Sequence, residues 1–210
     1  MKKVLAFLIL GALLCSTAFA ATIQMQHDLD LNNLTDRTMQ VGFTIDQVTD
    51  SDITVTAYED VIYDPVAIAQ LQVGDTLETA DGDITVESIE TDDYGSIHIN
   101  GGQDIDGGVT LFTMDNVNGY MQADFEYTAI ADRGEVTIPF ADQVTVNVYK
   151  MNDDLSVAGE GYDTVTIAAG DVRAEILEIA EKLGDDFYPY QTTLRIENGA
   201  AVEITVDYMA

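Results

Sequence analysis

The chain has 210 residues, 38 of them acidic and eight basic, for a formal net charge of −30 at pH 7. Such a surface repels nucleic acid and anionic lipid, and no run of Lys or Arg overrides it, so the pattern excludes a nucleic-acid binder. A single cysteine leaves no intrachain disulfide, and stability rests on buried apolar area, for which this length suffices.

Met1-Lys2-Lys3 is a short basic start, Val4 to Leu14 is an apolar run, and Ala18-Phe19-Ala20 is a small-x-small cleavage pattern. Together they predict a secretory signal peptide over 1–20, too short to serve as a membrane span, cut after Ala20. A lipid-anchor signal wants a small residue immediately before its cysteine. Leu14 stands there, which argues against a lipid on Cys15. The mature part, 21–210, is then cysteine-free and secreted or periplasmic, with six basic residues against 38 acidic ones.

The alternating, β-branched runs Met39–Ile45 and Ile53–Glu59 predict strands. Asp64 offers a cap and Pro65 a first helical position, for a short helix over about 65–71 that Gly74 stops. Gly74 permits a left-handed turn and Asp75 can bond back to the local backbone, so this corner is explained by geometry alone. Two strands follow, "DTLET" and "DITVESIE", around the turn Ala80-Asp81-Gly82. "GSIHING" and "GVTLFTM" are two more, flanking the glycine-rich "NGGQDIDGG".

Gly119–Ala131 alternates over a long span, with Met121, Ala123, Phe125 and Tyr127 on one side. "GEVTIPF" and "QVTVNVY" read as two short strands, Pro139 marking an edge or an end of the former. "DTVTIAAG" is another strand. A full helix is predicted over about 171–183, with Asp171 as cap and Gly184 as terminator. Its apolar stripe is Val172, Ile176, Ile179, Ala180 and Leu183. Asn198-Gly199 between two alternating runs predicts a hairpin in which Leu194 and Ile196 face Val202, Ile204 and Val206. The sum is a mainly β fold (α+β in detail). It has about a dozen short strands in a sandwich or barrel-like arrangement, one full helix and one short helix. It forms either one continuous body or two packed lobes, about 21–118 and 119–210.

The run from Tyr63 to Glu90, followed by "IHINGG", resembles a module of small exported bacterial proteins with no established activity. The matching positions are Tyr63, Asp64, Leu71, Val73, Gly74, Asp75, Gly82, Val86, Ser88, Ile89, Ile99, Asn100, Gly101 and Gly102. The C-terminal "TTLRIENGAAVEITVDY" is similar to the closing hairpin of the same group. Members of that group are often lipid-anchored, a feature the context of Cys15 does not match. The resemblance implies an exported β-rich fold and carries no activity.

Nucleophilic hydrolysis needs a Ser or Cys beside a histidine base. The mature chain has no Cys and two histidines, His27 and His98, with no Gly-x-Ser-x-Gly elbow. Ser96 and His98 share a strand face without an orienting third group, and His98 reads as a partly exposed strand residue. No zinc-type spacing exists. Calcium is the better inorganic candidate: Asp104 and Asp106 with Asn100 in "NGGQDIDGG", or the less specific Asp153, Asp154, Glu160 and Asp163. Both sets also read as solvated turns. Phe187, Tyr188 and Tyr190 around Pro189 form an aromatic patch that packs the helix end or faces a ligand.

The sequence thus predicts an exported, acidic, noncatalytic protein, with no cofactor beyond a candidate Ca²⁺, that binds an extracellular protein or glycan. The alternative is a calcium-supported, carboxylate-pair hydrolase acting on an extracellular polymer.

Overall fold

A computed structural model describes residues 20–125, 127–151, 157–184, 187 and 192–206. The leader with Cys15, and residues Asp153, Asp154, Tyr188 and Tyr190, lie outside them. The fold is mainly β, with fifteen strands and two α-helices among the described residues.

The larger body is a ring of strands. It consists of β2 (Arg37–Gly42), β3 (Asp52–Asp60), β12 (Ile130–Met151), β13 (Val157–Ala168), β14 (Thr192–Glu197) and β15 (Ala200–Val206). β12 pairs with β15, β15 with β14, β14 with β2 and β2 with β3, and β3 returns to β12. Closure depends on the length of β12. Its first half, Ile130 to Pro139, runs antiparallel to β3. From Phe140 on it runs parallel to β15, with β13 antiparallel to it as well. The two short strands expected on either side of Pro139 are therefore one continuous strand. Proline lacks a ladder donor, and Pro139 is where pairing with β3 ends. The next amide, Phe140 N–H, turns to the Ser51 carbonyl at 2.8 Å. The partner changes there while the backbone continues.

Helix α2 (Val172–Leu183) closes the core of this ring with Val172, Ile176, Ile179 and Leu183. Their spacing puts one stripe against the sheet. Asp171 makes no capping hydrogen bond, contrary to the sequence reading. The residues before the helix, Ala169–Asp171, already form a 3₁₀ turn, and Asp171 itself has helical dihedrals, which denies it the extended conformation a cap needs. At the final hairpin Asn198 and Gly199 both have positive φ, 52° and 78°, as a tight primed turn requires. A bulge follows: Ile196 pairs with Ala201, while Arg195 pairs with Glu203. The extra residue flips the pattern, so Ala201 points into the core and Val202 does not.

Residues 61–129 are inserted between β3 and β12, which face each other at Asp60 and Ile130. Together with the N-terminal strand at Thr22–Ile23 they build a second core. One sheet holds β4 (Ile62–Tyr63), β7 (Ile89–Thr91), β8 (Ile97–Ile99), β9 (Val109–Phe112), β10 (Tyr120–Asp124) and β11 (Tyr127–Thr128). A smaller one holds β1 (Thr22–Ile23), β5 (Thr76–Thr79) and β6 (Gly82–Thr85). Val61, Tyr63, Leu77, Val86, Ile99 and Leu111 are fully buried at its centre. The Tyr63 hydroxyl donates to the Glu78 carbonyl at 2.7 Å, and burial, with the nearby Glu78 charge, pushes its ionisation well up.

The short helix α1 spans Pro65–Ile68, with Asp64 Oδ1 accepting from Val66 and Ala67 N–H. The long alternating run 119–131 is broken: the chain reverses after Asp124, which pairs with Tyr127. Phe125, at φ 48°, sits in the turn, 88% exposed. Phe125 and Tyr127 therefore do not extend the buried side begun by Met121, because the chain turns at Phe125 instead of continuing the strand.

Ala201→Asp, which places a carboxylate at a fully buried position, is expected to prevent folding. Val202→Thr is expected to cost less than about 1 kcal/mol. Urea unfolding of the two variants tests the bulge against the uninterrupted alternation.

Candidate functional site

Strands β2 and β3 pair only at Gln40–Tyr58, Val41–Ala57 and Gly42–Thr56. Beyond Gln40, β2 stays with β14 down to Arg37, whereas β3 stays with β12 as far as Asp60. The strands splay, and a cavity of about 320 Å³ opens between residues 37–40 and 58–60, edged by Asp28 and Leu29. The segment carrying Asp28 is tied across the opening, its N–H donating to Glu59 Oε1 at 2.7 Å.

Glu59 explains the charges behind this opening. Ile53, Val55 and Ala57 point into the core, and the alternation makes Glu59 the next inward residue. Its carboxylate is only 18% exposed and lies 3.3 Å from Arg133 Nε and 3.9 Å from His27 Nδ1. The second nitrogen of His27 is 3.7 Å from Glu78 Oε1, on β5 of the other core. Arg133 is the extra residue of a bulge between Asp132 and Gly134, which swings it toward Glu59. These groups are at ion-pair distance without well-directed hydrogen bonds: Glu59 Oε2, Glu78 Oε2 and Arg133 Nε are buried with none. Arg37 differs. It lines the cavity, its Nε is also buried without a hydrogen bond, and no carboxylate among the described residues pairs with it.

The glycine-rich loop places its predicted residues apart in role. Asn100, at φ 54°, accepts from Glu87 and Ser88 N–H through Oδ1 and donates to the Thr85 and Gly107 carbonyls through Nδ2. Its amide is occupied in stitching β6, β7 and the loop together. Asp104 and Asp106 are exposed on that loop. Among the described residues no three His, Cys, Asp or Glu side chains gather as a metal would need. At the opening corner Gly74 has φ 97°, and Asp75 is buried, accepting from Gln72 N–H at 2.9 Å and from Ala21 N–H at 2.7 Å. Asp163 edges a small cavity beside Glu178 and Lys182 of α2.

His98 is better held than the sequence suggests. Its Nε2 is 3.2 Å from Asp92 Oδ2, and its Nδ1 is 3.1 Å from Oγ1 of Thr110, its cross-strand partner. The orienting acid lies six residues upstream, across the β7–β8 turn. The hydroxyl is supplied by Thr110, not Ser96. The Thr110 oxygen also accepts from Gln103 N–H, and Gly102 lies directly over the contact: a Cβ there would stand 2.8 Å from His98 Nδ1. The set locks the loop to the sheet.

No protein-family model matches the chain, and no curated protein or solved structure matches it either. Among the described residues no helix is long and apolar enough to cross a membrane.

Gly102→Ala combines a clash with His98 and a positive φ of 87°, and is expected to cost about 1–3 kcal/mol in urea unfolding. Asp92 supplies a pH test. Desolvation acts against its charge, but N–H donation from Ser96, His98 and Tyr94 outweighs that and holds the carboxyl below the usual range. A depressed value in the folded state means the stabilisation is present above the ordinary carboxylate value of about 3.9 and lost as pH falls through the folded one. The stability gap between wild type and Asp92→Asn should be complete at pH 6 and close in strong acid.

Proposed function

We propose that this chain is an exported, noncatalytic binding protein whose recognition site is the opening between β2 and β3, and that the site takes a small ligand carrying both charge signs. The observation that carries this reading is Arg37: a guanidinium with a buried, unbonded Nε in the wall of a cavity whose other charged residues are Asp28, Glu59 and Asp60. A buried donor without a partner is costly, and a ligand carboxylate would satisfy it. The surrounding field sets the other half of the requirement. In a chain of net charge −30 a simple anion is repelled and a simple cation is attracted everywhere. A zwitterion such as a short peptide with both termini free is favoured where one cation stands among acids. The cavity volume lies at the small end of ligand sites.

The calcium reading of the glycine-rich loop, and with it the calcium-supported carboxylate-pair hydrolase, has less support, since Asn100 is engaged with four backbone groups.

Titration with alanyl-alanine, its N-acetyl form and its C-terminal amide, followed by amide chemical shifts, tests the proposal. Alanyl-alanine should perturb residues 37–40 and 58–60, each blocked form should bind at least about tenfold more weakly, and Arg37→Gln should abolish the response. Equal binding of a blocked form would refute the two-sign requirement. Shifts only elsewhere, with any of the three, would remove the site.

A further inference from the structure

The surroundings of Asp75 point to an anchor that is made by processing: we propose that removal of residues 1–20 creates an α-ammonium on Ala21 that pairs with the Asp75 carboxylate. Three observations converge on it. Asp75 is a buried acid, 8% exposed, and among the described residues no Lys, Arg or His pairs with it. Its Oδ1 already accepts from Ala21 N–H at 2.7 Å, while Oδ2 is held by Gln72 N–H. And Ala21 is the residue that the pattern Ala18-Phe19-Ala20 would leave first in the mature chain.

The alignment is tight on both sides of Ala21. Its carbonyl accepts from Thr76 N–H at 2.8 Å, and the following residues form β1, parallel to β5 with Thr22 opposite Thr76 and Ile23 opposite Leu77. Ile23 is buried in the second core. The nitrogen therefore cannot drift from Asp75 without pulling the strand away.

Cleavage is a hydrolysis of the Ala20–Ala21 peptide bond by a leader peptidase. Water supplies the hydroxyl that completes the Ala20 carboxyl group, the C–N bond breaks, and its nitrogen takes protons to become the ammonium. One neutral N–H donor is thereby replaced by a charged one at the same place. Charge-assisted hydrogen bonds are roughly twice as strong as neutral ones. The precursor thus holds β1 through a neutral N–H, and the mature chain holds it through a charged one, so that leader removal strengthens an attachment already in place.

The test compares three forms of the mature chain: one beginning at Ala21, the same chain acetylated at its α-amino group, and one with an additional N-terminal glycine. Acetylation keeps the N–H and removes only the charge. The free Ala21 form should unfold about 2–4 °C higher than either other form and exchange its Thr76 amide more slowly. In Asp75→Asn, acetylation should make no difference. Should that variant fail to fold, the free and acetylated forms with Asp75 intact still decide. Equal midpoints and equal Thr76 exchange in those two forms would overturn the proposal, as would a secreted chain whose first residue is not Ala21.

Discussion

Strand β3 has to serve two neighbours that part company at its end, and most of what is distinctive in this molecule follows from that. Up to Tyr58 it is held by β2 on one side and β12 on the other. The insertion of residues 61–129 leaves from Asp60 and returns at Ile130, so the last residues of β3 are bound to follow β12. β2, meanwhile, is bound to β14 as far as Arg37. The ring can close only by leaving a gap, and the strand alternation places Glu59 facing inward beside it. An inward acid is costly unless it is paired. The bulge that brings Arg133 round, the approach of His27 and the strap through Asp28 are answers to that one misplaced charge.

The same reasoning tells which parts of the structure were legible in the sequence. Local signals sufficed where the local chemistry is also the final chemistry. Asp64-Pro65 starts a helix, Asn198-Gly199 turns a hairpin, and the stripe Val172, Ile176, Ile179, Leu183 buries a helix face. They failed where a distant partner decides. Nothing near Pro139 says that β12 continues while changing neighbours, and nothing in "GAAVEI" announces that Ala201 takes the core position that alternation gives to Val202. The turn at Phe125 was hidden because the residues on both sides of it alternate equally well.

The candidate site was less legible than the fold, for a physical reason. With 38 acids in the chain, one more Glu carries no information until its face is known. The informative feature was the endpoint of a pattern: Ile53, Val55 and Ala57 inward, then Glu59. Likewise His98 looked unsupported because its partners are a turn residue and a cross-strand threonine, related by pairing and not by spacing along one strand. The glycine-rich loop had the opposite fault. Its residue types suit calcium, yet Asn100, the residue that would complete a ligand set, is consumed by the backbone it holds in place.

Charge placement ties these strands together. Where a protein is uniformly acidic, its few cations mark the places at which charge is used for something specific. Arg195 is bound to Glu203 and Glu197, and the bond from Glu203 raises its hold on its proton still further. Arg133 is bound to Glu59. Both are explained by the acids they meet within the fold. Arg37 meets none among the described residues, although burying an unbonded guanidinium nitrogen is among the more costly things a fold can do. On the reading we propose, a ligand recovers that cost, and the splay of β2 from β3 leaves room for it.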